Sequence, residues 1–440
     1  MTATKKPSSG GMFRSLRVRN YRLFASGQVV SNLGAWIQRV AQDWLVLDLS
    51  HNNGTALGLV TALQFLPTLL LGLWGGVVAD RYDKRKLLLC TQACMSACAL
   101  LLGILTVGGV VQLWNVYVFA ILLGLVTVID NPTRQAFVVE MVGHDDMSNA
   151  VSLNSTSFNG ARIVGPAVAG VMINLVGTGV LFLVNSASYL AVIASLLLMR
   201  VSELHRAKPI ARAKGQLLEG LRYVKSRRDL MTPMILVFVV ATLGLNFQVT
   251  VALMAKGTFH TGAESYGLLS TMLAVGSLSG ALISTRRRGR PRIRLLLGSA
   301  IVFGIFETAA GFMPSYGSFG VLLIPCGLAS LIFTNAANAS VQMGVSQNMR
   351  GRVMGLYLLV FMGGTPFGAI LIGWLAEVFT PRLSLVAGGI ASFVAAIVIG
   401  LAFARREGIT VERRQQPVPH LHVVTPYELE LAAGQRGAAR

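Results

Sequence analysis

Apolar stretches of about twenty residues recur from residue 20 to residue 405, broken by short connections rich in charge, Gly and Pro. A bilayer core about 30 Å thick takes roughly 20 apolar residues per crossing helix. The pattern therefore predicts an all-α membrane protein with twelve spans: 22–48, 57–79, 87–108, 112–131, 150–173, 178–199, 231–254, 265–285, 293–313, 318–340, 352–377 and 382–404. The longest connection, 201–230, divides them into two six-helix bundles, 21–200 and 231–404, flanked by polar tails at 1–20 and 405–440.

With 53% hydrophobic and 13% charged residues among 440, the chain carries about half the charge of a soluble domain. A formal net charge of +20 would suit a nucleic-acid surface if the basic residues clustered on a soluble domain, but here they alternate with the spans. Apart from Lys256 and Arg382 in outer connections and Arg39 and Arg162 inside spans, every Lys and Arg falls on the side shared by both tails. The positive-inside rule then puts both termini in the cytoplasm. The basic charge reports topology, and nucleic acid is excluded as a partner. Residues 1–20 lack the apolar core and cleavage site of a signal peptide. FRSLRVRNYRLF (13–24) is expected as a short interfacial helix with its arginines near anionic membrane lipid.

The two bundles carry matching fragments. LGxxxQ occurs in the first span from Leu33 to Gln38 and in the seventh from Leu243 to Gln248. Gly165-Pro166 in the fifth span answers Thr365-Pro366 in the eleventh, and Gly72 and Gly76 of the second answer Gly276 and Gly280 of the eighth. These matches indicate two parallel six-helix repeats, an architecture that places a substrate site between the halves near mid-membrane.

After the second span comes GVVADRYDKRK, Gly76 to Lys86. It resembles the signature loop GxxxDRxGR[RK] of the major facilitator superfamily, with Asp83 in place of the second glycine. Together with SNLGAWIQRVAQDWLV (31–46) and DNPTRQAF (130–137), it is similar to bacterial efflux proteins of the enterobactin-exporter and macrolide-efflux type. The resemblance implies a monomeric multi-pass transporter of the bacterial inner membrane, without cofactor, exporting an amphiphilic small molecule (antibiotic, siderophore or other metabolite) by alternating access in exchange for protons. An importer or facilitator of the same fold and a nontransporting sensor are the competing readings.

In that resemblance Gly76, Asp80, Arg81, Arg85, Arg134 and Arg352 belong to a cytoplasmic gate, with Asp80 latching onto the eleventh helix. Topology alone accounts for Lys84 to Lys86 but poorly for an acid at Asp80, and it accounts for Arg134 as well as a gate does. Pro132 is expected to stop the fourth span and leave Arg134 at the inner surface. Gly165, Pro166 and Gly170 resemble the helix-bend motif of the superfamily's antiporters. The arginine that many of those antiporters carry inside the fourth span is missing from NVYVFAILLGLVTVID (115–130).

The residues themselves mark a cavity. At 100° per residue Gln28, Asn32, Trp36, Arg39 and Asp43 fall within about 80° of one another. Ionisable groups at mid-membrane cost about 2.5–3.5 kcal/mol each on insertion scales and so face a bundle interior or water-filled cavity. Asn154, Phe158 and Arg162 of the fifth span, Asn246 of the seventh, and Tyr357 and Phe361 of the eleventh extend this surface. Arg39 and Asp43 also fit a static i, i+4 ion pair. Candidates for proton coupling are the membrane-placed acids Asp43, then Asp130, then Glu307. An enzyme is disfavoured, because all six histidines fall in loops or tails and no nucleophile stands beside a base. No metal site is expected: Cys90, Cys94 and Cys98 share one face of a straight helix, which cannot wrap three thiolates round one ion.

Overall fold

A computed structural model describes residues 13–205, 216–285, 291, 293–406, 410–414 and 420–424. The expectations for residues 1–12, for the part of the central connection at 206–215 and for the tail beyond 424 lie outside the described residues. The chain runs through α1 (Arg19–Leu49), α2 (Gly54–Arg81), α3 (Lys84–Val107) and α4 (Leu113–Gly143). The next helical stretch, Asp145–Leu197, breaks at Gly177 into α5 (145–176) and α6 (178–197). There follow α7 (Asp229–Thr258), α8 (Ala263–Thr285), α9 (Ile293–Gly311), α10 (Tyr316–Gly344), α11 (Arg350–Val378) and α12 (Pro381–Arg405). A short helix, Gln216–Ser226, precedes α7, and a hairpin of β1 (Thr410–Arg414) and β2 (His420–Val424) follows α12. Ten helical stretches among the described residues are long and apolar enough to cross a membrane. The first helix falls outside that set because Gln28, Gln38, Gln42 and Asp43, all buried, interrupt its apolar sequence.

The connections follow local chemistry. Asn53 caps α2 by accepting from the Ala56 N–H at 2.7 Å, and Asp83 caps α3 by accepting from the Lys86 N–H at 3.1 Å. Gly143 and Gly177 adopt φ of 70° and 79°, a region in which Cβ-bearing residues are strained, so the chain turns there between consecutive helices. Two sequence expectations are corrected. Pro132 does not end α4, which continues to Gly143. Proline removes only the N–H that would bond to the Val128 carbonyl; Gly75 of α2 packs against that carbonyl, and the Thr133 hydroxyl donates to Ile129 O at 2.7 Å. FRSLRVRNYRLF is not one interfacial helix either. A single 3-10 turn, Arg14–Arg17, gives way at the extended Val18 to α1, and Tyr21 and Phe24 are buried.

The end where Arg81, Lys84, Arg85, Arg200 and Arg227 gather is termed the basic end. At the opposite end the first six helices meet the last six through glycines. Gly54 and Gly58 of α2 face the Gly373 and Ala369 carbonyls of α11, while Gly170 of α5 and Gly267 of α8 face the Ala263 and Pro166 carbonyls. Three polar bridges sit over these contacts: Asp48 with Lys256, Asn53 with Glu377 at 2.7 Å, and Asn174 with Glu264. Toward the basic end a Cβ added at Gly355 or Gly351 of α11 would meet nothing within 4 Å among the described residues. Breaks in α7 at 244–246 and in α11 at Gly364 lie against each other, with Gly364 and Gly368 packed on Thr242.

Candidate functional site

Between the halves lies a branched cavity. Its larger chamber, about 560 Å³, extends along α1, α4 and α5 and is lined by Gln28, Asn32, Arg39, Asp130, Arg134, Asn154 and Phe158 among others. A second chamber of about 310 Å³ shares Arg39 and adds Trp36, Asp43, Arg162, Gln248, Tyr266 and Phe361. A third, about 210 Å³, lies along α2, α7 and α11 and includes Asn246, Phe361 and Thr365.

Asp43 sits where the cavity meets the closed end. It is fully buried and bridges the halves: one carboxylate oxygen accepts from Gln248 Nε2 of α7 at 2.8 Å, the other from the Tyr266 hydroxyl of α8 at 2.8 Å. Both oxygens are thereby occupied by neutral groups of the other half. Trp44, one residue on, stacks against Tyr266 at 6.4 Å.

Two turns earlier Trp36 gathers both cations. The Arg39 guanidinium lies 4.7 Å and the Arg162 guanidinium 5.8 Å from its ring centroid, and Phe158 meets it edge-on at 5.6 Å. Cation–π contacts of this kind contribute about 0.5–2 kcal/mol each without neutralising the charge. The approach depends on Gly165, since a Cβ there would stand 2.5 Å from Trp36 Cβ. The Gly165-Pro166-Gly170 segment thus fits α5 against α1 through Gly165 and against α8 through Gly170 and the Pro166 carbonyl.

The longer α4 moves Arg134 from the expected inner surface into the cavity wall. Asp130, 1% exposed, accepts from Thr91 and Gln92 of α3 at 2.8 Å each and from Arg134, which also donates to Gln28 of α1. Asn32 donates to Ser157 at 3.1 Å, and Asn154 lines the same chamber. Asn246 stands at the N-cap position of the second piece of α7 without a side-chain cap; its Nδ2 donates to Thr242 O at 2.7 Å, and its buried Oδ1 has no partner among the described residues. Tyr357 stacks on Phe361 at 6.2 Å, but only Phe361 reaches the cavity. Glu307 stands apart, buried between the α7 break and α12 near Gly244 and Gly388, with one carboxylate oxygen unpartnered among the described residues.

The six gate candidates separate. Arg85 donates to the Leu196 carbonyl at 2.7 Å, closing the end of α6, and neighbouring Lys84 pairs with Glu140 at 2.7 Å; both contacts lie within the first half. Arg134 belongs to the cavity. Arg352 pairs with Glu219 of the short helix Gln216–Ser226 and not with Asp80. Gly76 and Asp80 are half-buried and Arg81 exposed at the basic end of α2.

A family model described as transmembrane secretion effector matches residues 10–432. The chain belongs to that family. Similar proteins include the staphyloferrin A transporter of Staphylococcus aureus (strain NCTC 8325 / PS 47), 26% identical over 369 residues that cover 81% of this chain and 90% of that one. The multidrug efflux pump Tap of Mycolicibacterium fortuitum is 27% identical, covering 81% and 88%, and macrolide efflux protein A of Streptococcus pyogenes 23% identical, covering 83% and 91%. Among solved structures, a bacterial homolog to the human lysosomal transporter Spinster, inward-facing and unoccupied, aligns with a TM-score of 0.71 at 14% identity, covering 91% of this chain and 98% of that one. Nucleoside transporter NupG aligns at 0.65 and 13% identity, covering 89% and 99%. This secretion-effector family member is accordingly a non-enzymatic transporter of the major facilitator superfamily, multi-pass in the bacterial inner membrane.

Gln248 and Tyr266 escaped the sequence reading. Gln248 had a signal, as the glutamine ending the second LGxxxQ; its counterpart Gln38 accepts from Asn185 at 2.5 Å. Thr91 and Gln92 had a weaker one, two polar residues within the apolar third span. Nothing in the sequence marked Tyr266, because only the fold brings the start of α8 to α1.

Proposed function

We propose that this transporter exports an amphiphilic small molecule by alternating access, driven by proton antiport. Twelve spans in two six-helix repeats, with both termini in the cytoplasm, underlie the cycle. The repeat is supported by contact pairs that exchange under a six-helix shift: α2 with α11 corresponds to α8 with α5, and Gly75 against Val128 of α4 corresponds to Gly276 against Ile324 of α10. The basic end is then cytoplasmic, and the cavity is the inward-open binding site of a monomer surrounded by membrane lipid. Gln28, Asn32, Trp36, Arg39, Asp43, Asn154, Phe158, Arg162, Asn246 and Phe361 are its substrate-facing residues, with Tyr357 supporting Phe361. Siderophore, multidrug and macrolide efflux among the relatives supports export.

One observation carries the proton step: the Asp43 carboxylate bridges both halves beneath the closed outer end. Opening that end strips Asp43 of Gln248 and Tyr266 and exposes it to the outside, where it takes a proton. Closure reburies the neutral acid, and the two donors stabilise the carboxylate once the proton leaves through the cytoplasmic cavity. At the inner end, Arg352 exchanges Glu219 for Asp80 as α2 and α11 close, with Gly76 admitting the close approach and Arg81 at the surface. The test is uptake of a compound panel into everted vesicles under an imposed proton gradient. Accumulation should collapse with a protonophore and in Asp43→Asn. Protonophore-resistant accumulation would refute antiport, and wild-type coupling in Asp43→Asn would remove Asp43 from the proton step.

A further inference from the structure

We infer that the substrate is an amphiphilic anion, its carboxylate or other oxyanion seated between Arg39 and Arg162 and its flat apolar body against Phe158 and Phe361. This names the substrate class of the cavity and rests on the exporter reading above.

The inference comes from a charge imbalance. Five charged side chains line the two larger chambers: Arg39, Arg134, Arg162, Asp43 and Asp130. The chambers thus hold three arginines against two aspartates: Asp130 is matched by Arg134, and both oxygens of Asp43 are hydrogen-bonded to Gln248 and Tyr266 rather than to an arginine. Arg39 and Arg162 enter none of the ion pairs among the described residues. Both are half-buried and both lie within 5.8 Å of one indole ring. Two like charges sharing a cavity of low dielectric repel, and an anion between them converts that repulsion into attraction.

Guanidinium chemistry narrows the ligand. Arginine presents a planar fork of donors that matches the two oxygens of a carboxylate, and such charge-assisted bonds are about twice as strong as neutral ones. Trp36 lies within cation–π distance of both forks, while Phe158, 47% exposed, and Phe361 line the same chambers with apolar surface. A cationic ligand of the same shape would meet two guanidiniums, while both oxygens of Asp43 are already held by Gln248 and Tyr266.

The test measures binding without a gradient. Three probes of one shape, 2-naphthoate, 2-naphthamide and 2-naphthylmethylammonium, are titrated by ligand-detected NMR against the full-length protein in lipid nanodiscs. Naphthoate should bind at least about tenfold tighter than the amide, and the ammonium weakest. Arg39→Gln and Arg162→Gln should each erase most of that preference; Arg39→Lys and Arg162→Lys, which keep the charge, should retain part of it, and Arg405→Gln should retain all. Thermal unfolding of each variant identifies those that remain folded. Equal affinity for naphthoate and amide in wild type, or an undiminished preference in folded Arg39→Gln and Arg162→Gln, would overturn the inference. Because no proton gradient is present, a naphthoate preference in a protein whose vesicles fail to couple would uphold the anion site while the exporter reading falls.

Discussion

The closed outer end can be opened by one methyl group. Gly58 of α2 lies against the backbone of α11, and a Cβ there would stand 2.8 Å from the Ala369 carbonyl carbon and 3.1 Å from Ile370 Cα. Carbon atoms pack at about 3.5–4.0 Å, so in Gly58→Ala the helices must retreat by roughly 0.7–1.2 Å, and the obstructing atoms are backbone. Overpacking of this kind costs about 1–3 kcal/mol. It falls only on the state in which α2 and α11 touch, so the population ratio should move about 5- to 150-fold toward the outward-open form. The assay is spin-label distance measurement in a cysteine-free background, with one pair at exposed outer positions, Val110→Cys and Phe379→Cys, and one at inner positions, Tyr82→Cys and Gln347→Cys. In Gly58→Ala the outer distance should lengthen and the inner one shorten. Gly160→Ala is the matched control, because a Cβ at Gly160 meets nothing within 4 Å. If folded Gly58→Ala keeps both wild-type distributions, the glycine contact does not set the conformational balance.

Arg134→Gln strands the buried Asp130 carboxylate with Thr91 and Gln92 alone. Breaking a buried pair costs about 3–5 kcal/mol, and the loss here should fall toward the lower figure because Arg134 is 18% exposed; thermal unfolding should show a clear drop that Asp130→Asn/Arg134→Gln largely restores. A double variant no more stable than the single would refute the pairing. Glu219→Gln releases Arg352 from a pair exposed at 27% and 56%, worth about 0–1 kcal/mol, so the melting temperature should barely move while the inner spin-label distance shortens. An unchanged distance would separate Arg352 from the gate. Among the three acids, Asp43→Asn should abolish proton-driven accumulation in everted vesicles, whereas Asp130→Asn and Glu307→Gln should keep it; lost coupling in folded Glu307→Gln would move the proton step to α9.

The sequence carried the helical architecture because hydropathy is a local property, summed over about twenty consecutive residues. It carried the candidate cavity in part for the same reason: Trp36, Arg39 and Asp43 lie on one helix, where a fixed 100° step determines which residues share a face. Contacts between helices were not legible. Asp43 is bridged by residues 205 and 223 positions away, and no local pattern states that α1 meets α7 and α8. Arg134 was misplaced because proline was read as a stop. A proline inside a helix leaves one carbonyl without its partner, and whether the helix survives depends on the neighbour that covers it. Here Gly75, on another helix, packs against that carbonyl.

The same dependence on neighbours governs the charged loop after α2. Its residues read as one basic island, yet Lys84 and Arg85 are anchored within the first half, to Glu140 and to the end of α6. Under the proposed alternating access, rearrangement of the two halves would leave such contacts intact, and these residues would hold the first bundle together. Arg352 differs because its partner, Glu219, lies on the short helix between the bundles, a contact that costs little to break. A residue can serve a gate only if its bond in one state is weak enough to be exchanged in the other. By that criterion the proposed gate takes its moving charge from Arg352 of α11, with the basic loop as its fixed counterpart.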